Sequence, residues 1–168
     1  MATCVRISIL ITVLALLVAS CSRPKNAAEL PKEFNEALGV FLDEASKLAS
    51  MTEATAKQPE FEEQLKVVEA AFVKADRIWP HGDRYSKARA LFAEALDDWR
   101  ACNELRVAVL LGHIRATAEG QVAVLSQDRR LDAKSRSRFD SAQEQLTDLR
   151  TREARASHKF AQGRAYLD

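Results

Sequence analysis

The chain has 168 residues, 29% of them charged, with 25 Lys and Arg against 24 Asp and Glu and a formal net charge of +1. Such a balance excludes the strongly basic surface through which nucleic acid is bound. Three cysteines are too few for a disulfide framework.

In chain order, residues 1–6 make a short n-region whose one basic residue is Arg6, and residues 7–19 make an apolar run. That run falls short of the roughly 20 apolar residues that a spanning helix needs, so it reads as a signal peptide and not as an anchor. Ala19 and Ser20 are small, and Cys21 follows. The stretch Val18-Ala19-Ser20-Cys21 resembles the lipobox of bacterial lipoproteins, although Val18 stands where that family more often has Leu. The resemblance is confined to residues 1–21. It implies cleavage before Cys21, lipid on that cysteine's sulfur and amino group, and a place in the bacterial envelope. Ser22, in a position where Asp influences sorting, implies the outer membrane. The expected organisation is a signal peptide over residues 1–20, lipidated Cys21 with a short tether to residue 30, and a helical domain over residues 31–168. Removal of residues 1–20 leaves 148 residues and a formal charge of zero, enough chain to bury one core. Cys4 leaves with the signal and Cys21 is acylated, so Cys102 has no partner within the chain.

From Leu30 onward apolar residues recur at three and four, without sustained alternation, which predicts an all-α fold. Helix one, about residues 31–55, carries Phe34, Leu38, Phe41, Ala45 and Leu48, opened by Pro31. Helix two carries Phe61, Leu65, Val68, Phe72, Ala75 and Trp79; Glu60, Glu62 and Glu63 suit the positive end of its dipole, and Pro80 stops it. Asp83 is expected to cap helix three, with Tyr85, Ala88, Phe92, Leu96, Trp99, Val107, Leu110 and Ile114. Residues 105–111 are apolar nearly all round, which predicts a buried centre. Asp132 is the expected cap of helix four, with Phe139, Ala142, Leu146, Leu149, Ala156, Phe160 and Leu167, and Glu153 as the polar interruption. Four helices with short connections predict an antiparallel four-helix bundle. An unbroken helix three would reach about 65 Å, against roughly 30 to 40 Å for the first two. Either Gly112 or Gly120 breaks it, or helices three and four extend as a two-helix arm; the arm is the expectation.

The tip of that arm would hold Arg129, Arg130, Lys134, Arg136 and Arg138 near Asp128 and Asp132. Up-down-up-down order sends it away from the membrane. Charge is asymmetric: residues 21–104 hold 12 basic and 16 acidic side chains, and residues 105–168 hold 12 and 8. Cations spaced along a helix form a solvated face paired with local carboxylates. The functional reading is recognition of an anionic partner, a carboxylate-bearing cell-wall polymer or an acidic protein surface, through bidentate arginine hydrogen bonds.

Catalytic patterns are missing by residue type and spacing. No Glu precedes His81, His113 or His158 by three residues, so di-iron Glu-x-x-His pairs are absent, as are the His-Glu-x-x-His zinc helix, Cys-x-x-Cys-His and a phosphate loop. Met51 and His113, on helices that run in the same direction, are the candidate pair for a non-covalent haem, and packing is the plainer reading of both. Asp97-Asp98 and Glu62-Glu63 diverge around their helices and make no acid/base dyad. Cys102 reads as a buried structural thiol. Tyr85, Ala88, Phe92, Ala95 and Leu96 resemble the second helix of a tetratricopeptide unit, but no copy follows at the ~34-residue period of that family. The expected function is a membrane-tethered envelope lipoprotein without enzymatic activity, cofactor or metal, acting by interaction with an envelope protein or the cell wall. The second reading is a carrier of a small apolar ligand or cofactor between helices, lined by Trp79, Trp99 and Phe92.

Overall fold

The computed structural model describes residues 30–52 and 56–168, and every regular element among them is an α-helix. The signal peptide, Cys21 and the tether to residue 29 lie outside the described residues. Four helices follow one another: α1 (Lys32–Ser50), α2 (Gln58–Asp76), α3 (Asp83–Ser126) and α4 (Arg129–Ala165). Their buried faces are the apolar stripes of the sequence, with Phe34, Phe41, Phe61, Phe92, Trp99 and Leu149 almost wholly out of solvent.

Consecutive helices run antiparallel. Phe41 meets Phe72 while Gln64 donates to Glu44; Arg89 meets Asp76 while Arg100 reaches Glu69. Between α3 and α4 the pairing runs from Phe92 with Phe160, through Asp98 with Arg155, to Gly120 beside Ser135. Where all four helices lie together they form a stem, and the end of it that holds the α1 N-terminus is filled by aromatic rings. Trp79 stands edge-on to Phe34 at 5.2 Å, and Phe41 to Phe92 at 5.1 Å. Burying each such side chain contributes on the order of 1.5 to 3 kcal/mol before entropy.

Several helix ends differ from the sequence reading. Helix α1 stops at Ser50 instead of running to residue 55. Helix α2 ends at Asp76, and Trp79 packs from the following turn, with its indole N–H donating to the Tyr85 carbonyl at 2.9 Å. Asp83 is the first helical residue and not a cap; Gly82 holds the cap position at φ 135° with no side-chain bond, a backbone state that glycine adopts without a Cβ penalty. Asp128, not Asp132, caps α4, accepting from the backbone N–H of Arg130 at 2.8 Å and of Leu131 at 3.4 Å. A carboxylate one residue before the helix can reach those N–H groups, whereas Asp132 lies inside the first turn.

Helix α3 is unbroken for 44 residues, about 66 Å. Neither Gly112 nor Gly120 interrupts it: both let α4 come close. A Cβ on Gly112 would stand 3.3 Å from Ala142, and one on Gly120 3.0 Å from the Ser135 hydroxyl. The α1–α2 connection meets α3 at Arg106, which donates to the Met51 and Ala56 carbonyls. Above that level α3 continues for about 20 residues, or ~30 Å; the first turn of α2 still borders Leu110 and His113, and beyond them α4 lies beside it. This is the two-helix arm. It also corrects the expected burial of residues 105–111 in part: Arg106 and Val109 are buried, but Val107 is 38% exposed, Leu110 51% and Leu111 44%, because the first hairpin ends at this level.

Candidate functional site

The basic turn at the arm's tip is assembled by the short connection Gln127-Asp128, where Gln127 takes a left-handed conformation at φ 53°. Arg136 pairs with Asp132 one turn earlier on α4, at 2.7 Å. Lys134 and Arg138 both approach Glu119 of α3, at 3.2 and 2.8 Å. Glu119 was not among the carboxylates that the sequence placed near the tip; it lies nine residues before Asp128 but returns to the cluster once the hairpin closes. Arg129 and Arg130 are exposed and form no ion pair with another described residue. Three of the five cations are thus locally neutralised. The two at the turn remain open to an anionic surface, and exposed pairs of this kind contribute little to stability.

A second polar feature sits where stem meets arm. Arg106 and Glu153 pair at 2.6 Å with side chains only 4% and 11% exposed. The guanidinium also donates to Ala56 O at 3.0 Å and Met51 O at 3.2 Å, and lies 4.2 Å above the Phe61 ring. Two grooves flank this clamp. One, of about 410 Å³, is bordered by Met51, Trp99, Arg150 and Glu153; the other, of about 660 Å³, by Gln58, Arg106, Leu110 and His113. Arg106 hides in an apolar segment and Glu153 in an apolar stripe. Two lone opposite charges on otherwise buried faces were the available signal for the pair.

Met51 and His113 border different grooves, so they do not converge on one ligand. Trp79 and Phe92 stand 6.1 Å apart, and Trp99 lies 5.9 Å from Phe160, each ring filling space beside the next. Cys102 is buried, with its sulfur 4.0 Å from the Leu149 carbonyl. Burial pushes its thiol up to about 12, with the nearby Glu153 carboxylate acting in the same direction. A nucleophilic cysteine needs the opposite surroundings. Among the described residues no group of three or more His, Cys, Asp and Glu is placed to hold a metal ion, and no helix is long and apolar enough to cross a membrane.

No family model, curated protein or solved structure matches this chain.

Proposed function

We propose that the protein is a lipid-anchored, non-catalytic interaction factor of the bacterial envelope, probing for an anionic partner with the turn of its two-helix arm. The observation that carries this reading is the arm itself. Helices α3 and α4 project about 30 Å beyond the α1–α2 connection, in the direction opposite to the end where α1 begins. A chain held through Cys21 enters at the α1 end, so the stem stands nearest the lipid and Arg129 and Arg130 stand farthest from it. An extended tether from Ser22 to Glu29 reaches at most about 3.5 Å per residue, which keeps the stem close to the membrane. The ring-packed core, the clamp at Arg106 and the long α3 together make a rigid spacer.

The outer membrane is the expected location, on the strength of Ser22. Fractionation tests the tether: the wild-type chain sediments with membranes and is labelled by a fatty-acid probe. Cys21→Ser accumulates as unprocessed, unlabelled precursor. Equal labelling and mobility of the two chains would remove the lipobox from the account.

A further inference from the structure

Above Arg106, one face of α3 has no covering helix. Within the stem this face is the rim beside α2: Arg89 and Arg100, each about half exposed, pair with Asp76 and Glu69 of α2, and Ala93 is grouped with Phe72. Steps of three and four continue the same face to Val107, Leu111, Ile114, Ala118, Val122 and Leu125. At about 100° per residue, these six fall within roughly 80° of the helix circumference. Ala118 is exposed, and the other five are between 38% and 86% exposed. The residues that pack on α4, among them Val109, Ala116 and Ala123, are buried on the opposite side. A helix in a free two-helix arm needs one apolar stripe; this one has two, and an exposed apolar strip of this extent marks an interaction site.

We infer that this strip pairs with the same strip of a second copy, the two α3 arms lying antiparallel about a two-fold axis and joining both arms into one four-helix assembly. The strip continues the rim on which Arg89 and Arg100 reach across to α2, and its straight run along one helix suits a helix lying along α3 as its occupant. It is also self-complementary, as a two-fold contact requires: read from both ends, Val107 faces Leu125, Leu111 faces Val122 and Ile114 faces Ala118, with large against small at the centre. Charge permits the contact. Residues 107–125 contain only Arg115 and Glu119 as formal charges, and Glu119 is engaged by Lys134 and Arg138. Two copies therefore meet without bringing blocks of like charge together, while the many charges of α4 stay outside. The strip runs for about 27 Å, which suits a contact near the ~1,200 Å² lower bound of specific interfaces. Antiparallel arms set the two stems at opposite ends, so both short tethers reach one membrane only when the paired rod lies along it; the pair is a flat arrangement distinct from the upright single copy, and it needs neither the lipid nor the basic turn to form.

The test places a benzophenone amino acid at Leu111, on the strip, in the full-length chain in its own membranes. Irradiation is expected to give an adduct of twice the chain mass, with the crosslinked peptide drawn from residues 117–125 of the second copy. Ile114→Glu should lower the yield by about tenfold or more, with the helical content of the chain unchanged because Ile114 is 56% exposed in the single copy. Val122→Glu serves equally if that variant fails to fold. Monomer alone, a link within one chain to residues 7–19, an adduct with a different protein, or a yield indifferent to both glutamates overturns the proposal.

Discussion

Arg106 Nη2 donates to Glu153 Oε1 at 2.6 Å, so the polar interruption of the α4 stripe meets the cation hidden in the apolar segment of α3. The same guanidinium holds the Met51 and Ala56 carbonyls, and thereby fixes the level at which the α1–α2 hairpin ends and the arm begins. Removing one member takes from the other its 2.6 Å charge partner in a buried site, which costs about 3 to 5 kcal/mol, whereas replacing both with apolar residues is far milder. Arg106→Met and Glu153→Leu should each lower stability by that amount in urea unfolding. The double variant should lose much less than the sum of the two. Additive losses would show that the pair is not coupled.

Gly163 and Gly39 are both helical glycines with opposite expectations. A Cβ on Gly163 would stand 2.7 Å from the ring of Phe92, which is fully buried and has no room to move. Gly163→Ala should therefore destabilise by about 1 to 3 kcal/mol through overpacking. Around Gly39 nothing lies within 4 Å, so Gly39→Ala should stabilise by about 0.5 to 1 kcal/mol through helix propensity. Thermal melts of the two variants should shift in opposite directions.

Asp98 predicts an acid-dependent loss of stability. Its burial opposes ionisation, but hydrogen bonds from Arg155 and Lys159 outweigh that and hold the carboxyl below its usual range. Lys159 bridges Asp98 at 3.1 Å and Glu94 at 3.0 Å, tying α4 to α3. A depressed folded-state value means that the stabilisation is complete above the unfolded value of about 3.9 and disappears as pH falls through the lower folded one. Asp98→Asn should be less stable than the wild type by about 1 to 3 kcal/mol at pH 7, with the gap closing below about pH 4. A gap that stays constant down to pH 2 would assign the loss to packing.

The helical class, the number of helices and the core aromatics were legible because apolar spacing at three and four reports which side of a helix is buried. The arm was legible through length alone, since an unbroken α3 cannot be matched by helices half as long. Burial of Val107, Leu110 and Leu111 was misread for the same reason that the arm exists: an all-apolar stretch predicts cover on every side, and periodicity does not say that the first hairpin ends at this level. At the tip, Arg129, Arg130, Lys134, Arg136 and Arg138 were visible as a cluster. Glu119 was not, because its place beside Lys134 and Arg138 follows from hairpin register and not from sequence distance. Asp128 displaced Asp132 as the cap by a single turn, a choice set by the tight connection at Gln127.

The central claim, that the arm's basic turn recognises an anionic envelope partner, is tested most directly by photocrosslinking from Arg136 of the lipidated protein in intact envelopes. Captured species are identified by mass spectrometry and compared with those from an Arg129→Glu, Arg130→Glu chain. The account predicts one discrete acidic protein or muropeptide adduct that the double substitution abolishes. Diffuse labelling, or an adduct that survives loss of both arginines, would contradict it and return the basic turn to a solvated helix face.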